Sequence, residues 1–327
     1  MRILYGIQGT GNGHIARARE LVPALAKHAE LDIVLSGNNY QIQLPFNVRW
    51  KLPGLSLAYS ASGEVDYWKT FWQAQKAVFV QDVRTLPVKN YNLVISDFEP
   101  VTAWACHISR VPCLGVGHQA SFRFNETPVS TQKGHVGAWF LQYYAPASQY
   151  LGFHFQAYHP DIFPPIIRSD IKMGRSVQGE KIVVYLPAYG KEELMRHFQQ
   201  LPEFQWHMFA ANVDTTYQSN NVLVSPIGDT FVQEVLSARM VLCSAGFELP
   251  AELLYLKKPF AVIPIKRQYE QACNAAALEQ LGVSVWRHID EVSNERILSV
   301  LERGAVAQVQ AASLSQVVGR ILDQAGA

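Results

Sequence analysis

Short apolar runs alternate with longer amphipathic stretches along the chain, and this alternation predicts strands that are each followed by a helix. In the first half the predicted strands are residues 3–7, 31–36, 93–96 and 111–115, and the predicted helices are residues 14–27, 68–83 and 101–108. A chain with this order builds a parallel sheet that helices cover on both faces. Its ligand crevice is expected at the carboxyl ends of the strands.

The pattern loosens between about residues 119 and 165, where aromatic residues are frequent and the adjacent prolines Pro164 and Pro165 interrupt regular structure. It then restarts, with strands predicted at 181–186, 205–209, 221–225, 240–243 and 259–265 and helices at 191–200, 229–237, 247–256 and 270–281. We therefore predict an α/β protein of two doubly wound, Rossmann-like domains that face each other across a cleft. The predicted domains are 1–164 and 165–306, and a last helix within 307–327 is expected to pack back on the first domain.

Composition narrows the possible partners. The chain of 327 residues carries 28 Lys plus Arg against 27 Asp plus Glu, so its net charge of +1 gives no field that would attract nucleic acid. The cysteines Cys106, Cys113, Cys243 and Cys273 have no CxxC spacing, which favours buried thiols in a reducing compartment. Signal-peptide features and an apolar stretch of roughly 20 residues are missing from the sequence. A cytoplasmic protein is expected, with peripheral contact at the inner membrane face left open.

A glycine-rich segment joins the first predicted strand to the first predicted helix. It contains Gly9-Thr10-Gly11-Asn12-Gly13, directly before His14. Glycines let the backbone approach a ligand closely, and the amides at a helix N-terminus favour a negatively charged group, so this segment is a candidate acceptor or phosphate loop. It is not a dinucleotide fingerprint, because His14 stands where the third glycine is needed.

His14 and Asp97 are expected at the same edge of the first sheet. His14 lies at the entrance of the first helix, and Asp97 ends the strand at 93–96. A neutral imidazole can accept a proton near pH 7, and a carboxylate can orient it, so the two are candidates for a general base and its partner. The alternatives are a histidine that caps the turn and an aspartate that caps the helix after Pro100.

The second domain contains a strand, a turn of small residues and a helix: Leu242-Cys243-Ser244-Ala245-Gly246-Phe247, followed by Glu248 to Leu254. The N-terminus of such a helix is an anion site that suits a diphosphate. Glu252 within the helix could accept both hydroxyls of a ribose, although taken alone it is more often a solvated helix charge.

These motifs resemble those of a known family, the GT-B glycosyltransferases. The chain has Ser-x-Gly at 244–246, a Glu six residues later, Lys-x-Pro at 257–259, an apolar strand that ends in Pro264, and Gln-x-x-Asn-Ala at 271–275. It is most similar to the branch with the lipid-linked peptidoglycan N-acetylglucosaminyltransferase and the diacylglycerol galactosyltransferases. The Gly-Thr-Gly-Asn-Gly-His loop is that branch's other signature, so the resemblance spans nearly the whole chain.

The resemblance implies roles for particular residues. His14 would be the catalytic base or lie beside the acceptor, and Asp97 would match the carboxylate that pairs with this histidine in glucuronosyltransferase-like relatives. The donor site would consist of Ser244, Ala245, Gly246, Phe247, Glu252, Glu270, Gln271 and Ile227. Ser244 and Gly246 would cradle the diphosphate, Glu252 would hold the ribose, Glu270 and Gln271 would contact sugar hydroxyls, and Ile227 would line the base pocket.

Two positions depart from the family pattern. Pro187-Ala188-Tyr189-Gly190 keeps only one glycine where the peptidoglycan enzyme has a glycine-rich loop, so Tyr189 is expected to narrow that side of the donor site. Glu270 stands where an uncharged amide is common, and its carboxylate would repel a uronic acid, which favours a neutral hexose.

The predicted activity is inverting, metal-independent transfer of a hexose from a nucleotide sugar, most simply one linked to UDP, to a hydroxyl acceptor. No metal and no cofactor are expected, because the sequence lacks a DxD-type motif beside the donor. The acceptor stays open between a lipid, a glycan and a small molecule. The aromatic residues Trp68, Trp72, Trp139, Phe140, Tyr143, Tyr144, Tyr150, Phe153 and Phe155 would form an acceptor wall or, more often, core. A nonhydrolysing UDP-sugar 2-epimerase and a nucleotide-sugar-binding protein without turnover are the alternatives.

Overall fold

The computed structural model of the protein describes residues 1–40, 44–55, 76–130, 135–228 and 230–325. Within these ranges the strands form two seven-stranded sheets, one in each half of the chain. Predicted helix 68–83 is described only from Lys76 onward, and Trp68 and Trp72 lie outside the described residues.

The first sheet is parallel throughout and has the order β3-β2-β1-β4-β5-β6-β7. Its strands are β1 Arg2–Thr10, β2 Glu30–Asn39, β3 Trp50–Leu52, β4 Leu93–Asp97, β5 Leu114–Gly117, β6 Gln149–Phe153 and β7 Ile162–Phe163. Strand order reverses between β1 and β4, and at such a point a doubly wound sheet opens a crevice at its carboxyl edge. The central strands are buried on both faces, which explains their continuous apolar runs.

The helices of this half are α1 Asn12–Leu25, α2 Lys76–Thr85, α3 Pro100–Ser109, α4 His118–Ser121 and α5 His135–Tyr143, with a 3₁₀ turn at Val88–Asn90. Two expectations for the region around residues 111–165 are wrong. The strand predicted at 111–115 begins only at Leu114, after α3 has ended in the left-handed residue Arg110. The aromatic stretch contains regular elements, and Ile162–Phe163, expected as a break, pairs with β6 as an edge strand.

The second sheet has the order β10-β11-β9-β8-β12-β13-β14, and every pair is parallel except β10 with β11. Its strands are β8 Lys181–Tyr185, β9 Gln205–Ala210, β10 Tyr217–Ser219, β11 Val222–Pro226, β12 Met240–Ser244, β13 Phe260–Ile263 and β14 Ser284–Val285. The helices of this half are α6 Ser169–Met173, α7 Lys191–Gln199, α8 Thr230–Ser237, α9 Glu248–Leu256, α10 Tyr269–Gln280, α11 Asn294–Arg303 and α12 Leu314–Asp323, with a 3₁₀ turn at Ile289–Glu291.

The chain passes between the two halves twice. The first passage, around Pro165, and the second, around Ala312, are joined by a hydrogen bond from the Ala312 amide to the Pro165 carbonyl at 2.9 Å. The last helix is shorter than expected, because residues 304–313 lie outside regular structure, and it packs on α1. Arg320 on this helix pairs with Asp161 at 2.8 Å.

Two further observations bear on the class of protein. All four cysteines are buried free thiols, as predicted. Over the described residues, no helix combines the length and the apolar character that crossing a bilayer would require.

Candidate functional site

The glycine-rich segment forms a shorter turn than the sequence indicated. β1 continues through Gly9 to Thr10 and α1 begins at Asn12, so Gly11 alone connects strand and helix, with a φ of 90° that favours glycine. Gly13 lies within the first turn of α1. The start of α1 has no side-chain cap, which leaves backbone amides available at the carboxyl edge of the sheet.

His14 and Asp97 are in direct contact. His14 Nδ1 lies 2.7 Å from Asp97 Oδ1, and both side chains are buried, His14 with 8% of its surface exposed and Asp97 with none. Arg17 also binds the aspartate, with its Nε 3.0 Å from Oδ2 and its Nη2 2.6 Å from Oδ1. Burial alone would raise the pKa of Asp97, but the charges of Arg17 and His14 lower it, so the group stays a carboxylate.

Asp97 is not the cap of α3. Glu99 caps this helix, because its two carboxylate oxygens accept hydrogen bonds from the amides of Val101 and Thr102, each at 2.7 Å. Phe98 lies between the two acids with a φ of 52°, a left-handed conformation that side chains with a β-carbon seldom adopt and that is frequent at functional sites. The alternative in which Asp97 merely caps the helix is therefore wrong.

Gly117 at the end of β5 makes room for this arrangement. A β-carbon built on Gly117 would lie 2.8 Å from Asp97 Oδ1 and 3.3 Å from Arg17 Nη2. Any larger residue at this position would displace the carboxylate that holds His14.

The small-residue turn of the second half faces the start of α1. Ser244 ends β12, and Ala245, Gly246 and Phe247 lead into α9, whose N-terminus also has no side-chain cap. A β-carbon on Gly13 would lie 3.2 Å from Glu248 Cγ, so the N-termini of α1 and α9 meet here. Two helix N-termini therefore bring partial positive charge to this place, beside the carboxylates of Asp97 and Glu248.

Glu252 lies in α9 as expected, but it is buried and paired. Its Oε1 accepts a hydrogen bond from Arg168 Nε at 2.6 Å and its Oε2 one from Arg168 Nη2 at 2.7 Å. Only 2% of Glu252 is exposed, so it is not a solvated helix charge. A ribose hydroxyl would have to use the remaining lone pairs of this carboxylate or replace Arg168.

Of the two predicted sugar-binding residues, Glu270 lies against the segment that follows β5, and Gln271 is bonded within its own domain. Glu270 Oε1 accepts a hydrogen bond from Gln119 Nε2 at 3.1 Å, and Gln271 Oε1 accepts one from the Ile265 amide at 2.9 Å. His118 Nε2 lies 2.7 Å from Oδ1 of Asn274, which belongs to the Gln-x-x-Asn-Ala motif. The two halves of the protein are thus bonded together beside the predicted donor site.

His118 is enclosed by this cluster. Its Nδ1 faces the Phe153 carbonyl oxygen at 2.9 Å, and its ring stacks on Phe247 with centroids 4.0 Å apart. Acceptors at both ring nitrogens and the nearby Glu270 favour the protonated ring. Burial outweighs them and lowers the pKa of His118 below its usual value.

Ile227 and Tyr189 lie at the carboxyl edge of the second sheet. Ile227 follows β11 directly and is half-buried. Tyr189 follows β8, packs against the core of this half and meets the His288 ring edge-on, with centroids 5.8 Å apart. Tyr189 is therefore anchored on the side of the cleft near the end of β14.

The aromatic residues fall into two groups. Tyr144, Phe153 and Phe155 are buried core residues, which agrees with the prediction that most of these aromatic residues belong to the core. Trp139 and Tyr143 on α5 are exposed. Near the candidate base, Phe98 contacts Tyr144, with ring centroids 4.9 Å apart, and lies parallel to His14 at 6.5 Å. Phe98, which the sequence pattern did not indicate, is thus an aromatic neighbour of the candidate base.

Sequence reasoning also missed Arg17, Glu248, Arg168 and His118. The rule that selected Asp97, a polar residue at the end of a buried strand, selects His118 after β5 equally well. Arg17 lies three residues after His14, and this spacing places both on one face of a helix. The sequence contains no comparable signal for Arg168 or Glu248, because their partners are 84 and 231 residues away.

Comparison with known families finds one whose description is "Glycosyl transferase family 1", and its model matches residues 1–304. None of the curated protein sequences matches the chain.

Solved structures of glycosyltransferases have the same fold over nearly the full chain. SnogD from Streptomyces nogalater is 14% identical with a TM-score of 0.54, covering 100% of this chain and 95% of its own. SsfS6 from Streptomyces sp. SF2575, complexed with thymidine diphosphate, is 12% identical with a TM-score of 0.56, covering 99% of each chain. MurG from Acinetobacter baumannii is 12% identical with a TM-score of 0.53, covering 98% of this chain and 99% of its own. The predicted GT-B fold of two Rossmann-like domains is confirmed.

Proposed function

The chain belongs to the family described as glycosyl transferase family 1, and from this membership we propose that it is an inverting, metal-independent glycosyltransferase with His14 as its general base. The donor is a hexose linked to a nucleoside diphosphate, most simply UDP, and the acceptor carries a hydroxyl group. The observation that carries the proposal is the contact between His14 and Asp97, made opposite the N-terminus of α9.

The proton path follows from the ring nitrogens. Asp97 is a buried carboxylate and can only accept, so His14 Nδ1 carries the hydrogen that bonds it. Nε2 then has a free lone pair for the proton of the acceptor hydroxyl. As this proton moves to Nε2, the acceptor oxygen attacks the anomeric carbon from the face opposite the diphosphate, and the bond to the phosphate oxygen breaks. One displacement of this kind inverts the anomeric centre.

The leaving diphosphate is stabilised by backbone groups. The amides at the start of α9, which has no side-chain cap, and the hydroxyl of Ser244 would bind the diphosphate, and the helix dipole adds a partial positive charge. This is the role that a divalent cation has in enzymes that bind the diphosphate through carboxylates. Metal independence is part of the proposal on this ground.

A pyrimidine nucleoside diphosphate suits the second domain. SsfS6, which shares the fold, is complexed with thymidine diphosphate. We assign Ile227 to the base pocket and Glu252 to the ribose hydroxyls, as the family resemblance implies. Glu270, which already holds Gln119, supports a neutral hexose over a uronic acid, since two carboxylates would repel each other.

The acceptor side is lined by aromatic rings. Phe98 lies beside His14 and packs on Tyr144, and Phe140 contacts both Phe98 and Tyr144, with ring centroids 6.3 and 4.4 Å away. Such rings stack on sugars and on planar or apolar groups, so they support an acceptor with an apolar or cyclic part.

The test is a titration of the protein with UDP, TDP, GDP and their hexose conjugates, followed by transfer assays on a panel of lipid, glycan and aromatic hydroxyl acceptors. We expect UDP or TDP to bind at the second domain and one hexose to be transferred with inversion, as read by NMR of the product's anomeric proton. Retention of anomeric configuration, or tight binding without transfer to any acceptor class, would contradict the proposal.

A further inference from the structure

An ion pair from the second domain reaches the candidate base. Arg17 Nη1 donates a hydrogen bond to Glu248 Oε1 across the cleft, in a very short contact. The Arg17 side chain is 2% exposed and that of Glu248 is 17% exposed. Glu248 is the first residue of α9, so the helix that is expected to bind the donor also contacts the group that holds Asp97.

The four side chains form an unbroken chain of contacts. His14 contacts Asp97, and Arg17 donates hydrogen bonds to Asp97 from Nε and Nη2. The third nitrogen of Arg17, Nη1, donates to Glu248. Arg17 Nη2 also lies 3.0 Å from His14 Nδ1, so the guanidinium borders the ring itself.

The charges along this chain alternate once His14 takes a proton. With Glu248 ionised, the order is then His14 positive, Asp97 negative, Arg17 positive and Glu248 negative, which sums to zero. Before the proton transfer the sum is one negative charge. Without Glu248, the sum would be zero before the proton transfer and one positive charge after it. A buried site disfavours such an uncompensated charge.

Glu248 therefore favours the state in which His14 holds the acceptor's proton. Without Glu248, the Asp97–Arg17 pair is already neutral. The Arg17 guanidinium would then repel the positive charge of a protonated His14, whose Nδ1 is 3.0 Å from Arg17 Nη2. A carboxylate on the far side of Arg17 reduces this opposition. General bases work best when the protonated form is stabilised in the transition state.

The surroundings of Glu248 make its charge sensitive to the state of the site. Burial raises its pKa to about 7, although Arg17 lowers it, with Glu252 and Asp97 acting in the same direction as burial and Arg168 in the same direction as Arg17. An acid in the first turn of a helix also interacts favourably with the helix dipole, which is the simpler role for this residue. The contact with Arg17 distinguishes the two roles.

We propose that Glu248 is a positioning residue of the second domain that completes the general base: through Arg17 it keeps Asp97 in place and offsets the charge of the proton that His14 takes up. This rests on the proposed function. The base is then fully active only while the two domains are together.

The test compares Glu248→Gln with Arg17→Lys, Arg17→Met and the double variant Arg17→Met/Glu248→Gln. Transfer is followed as UDP release from UDP-glucose, UDP-galactose or UDP-N-acetylglucosamine in the presence of the acceptor panel, and UDP affinity is measured by calorimetry. Glu295→Gln is the matched control, since Glu295 is an exposed acid in the first turn of α11.

We expect Glu248→Gln to lower the transfer rate at saturating donor at least tenfold while UDP binds as tightly as before or more tightly, since a negative charge near the diphosphate is gone. The double variant should be no slower than Arg17→Met, Arg17→Lys should recover part of the rate, and Glu295→Gln should change neither quantity. Wild-type transfer by Glu248→Gln, or a loss of UDP affinity that matches the loss of rate, would overturn the proposal.

A second measurement needs no substrate. Nitrogen-15 NMR of the unliganded protein reads which ring nitrogen of His14 carries the hydrogen, and we expect Nδ1 in the wild type and a mixture in Arg17→Met. An unchanged ring in Arg17→Met would contradict the positioning role. Wild-type transfer by His14→Ala would refute the proposed function, whereas wild-type transfer by Glu248→Gln beside an inactive His14→Ala would refute only the present inference.

Discussion

Arg168 and Glu252 join the passage between the two domains to the helix that is expected to bind the donor. The guanidinium lies edge-on to the carboxylate, with Nε 2.6 Å from Oε1 and Nη2 2.7 Å from Oε2. Both side chains are largely buried, at 16% and 2% exposure. Glu252 is therefore positioned by a residue near Pro165, and its proposed contact with ribose is made by a carboxylate that is already oriented.

Glu252→Ala should abolish the increase in melting temperature that UDP produces in the wild type, because a ligand that binds only the folded state stabilises it by linkage. The same change leaves Arg168 buried without a partner and should lower the free energy of unfolding by about 3 kcal/mol. Thermal and urea unfolding, each with and without UDP, measure the two effects.

Arg168→Met is the matched control, because it breaks the same ion pair while Glu252 remains. It should destabilise the protein comparably and keep a UDP-dependent shift. Full UDP affinity in Glu252→Ala would remove Glu252 from the nucleotide site.

His14→Ala should lower kcat on the order of a hundredfold or more while UDP affinity changes little, since a general base acts on the acceptor and lies across the cleft from the nucleotide. Asp97→Asn should show a milder defect, because the imidazole loses orientation and charge stabilisation but remains. Single-turnover transfer and UDP titration on both variants check this. If His14→Ala transfers at the wild-type rate, His14 is only part of the turn.

Transfer should persist after the protein has been treated with EDTA, because the N-terminus of α9 and Ser244 are expected to carry the diphosphate charge. Rates with EDTA, with added magnesium and with added manganese should agree within about twofold, whereas removal of a catalytic metal typically abolishes activity. Activity that is lost with EDTA and restored by either cation would contradict metal independence.

Lys258 makes stability depend on pH in the alkaline range. Its Nζ donates hydrogen bonds to the carbonyl oxygens of Val177 and Ala238, the second at 2.8 Å, and burial lowers its pKa from 10.5 to about 8. Between these values the unfolded chain binds a proton that the folded protein has lost. Stability should therefore rise with pH from about 8 to 10.5.

Lys258→Met removes this group and should flatten the slope. Urea unfolding of both proteins at pH 8, 9 and 10 measures the difference between their free energies of unfolding. The contributions of all other titrating groups cancel in this difference. Parallel slopes for the two proteins would mean that Lys258 titrates alike in the folded and unfolded states.

The order of elements could be read from the sequence where apolar runs are continuous. β4 and β12 are central strands buried on both faces, and their predicted positions agree with the structure within a residue or two. Because polar residues that end such strands meet at one edge, His14 and Asp97 could be placed together before the structure was known. The edge strand Ile162–Phe163 and the short helix at His118–Ser121 were not predicted, because neither is long enough to show a hydrophobic period.

The contacts between the domains could not be predicted in the same way. Arg17 and Glu248 are charged residues on helices and Arg168 directly precedes one, and in sequence all three look like solvated positions. Their burial depends on how two sheets pack, which local patterns do not encode. The α3 cap likewise required the structure, because Asp is a preferred capping residue and Glu is not, yet Glu99 caps the helix.

The hydrogen bond between Ala312 and Pro165 places the two interdomain passages side by side, and this has a mechanical consequence. Two interdomain passages far apart would restrict domain rotation to the axis that joins them. Two adjacent passages act instead as a single pivot near one end of the cleft. A rotation of one domain against the other about that pivot would have to break the interdomain contacts Arg17–Glu248, His118–Asn274 and Gln119–Glu270. Arg168 lies next to the pivot and holds Glu252 on α9, so this ion pair would be kept while those contacts separate.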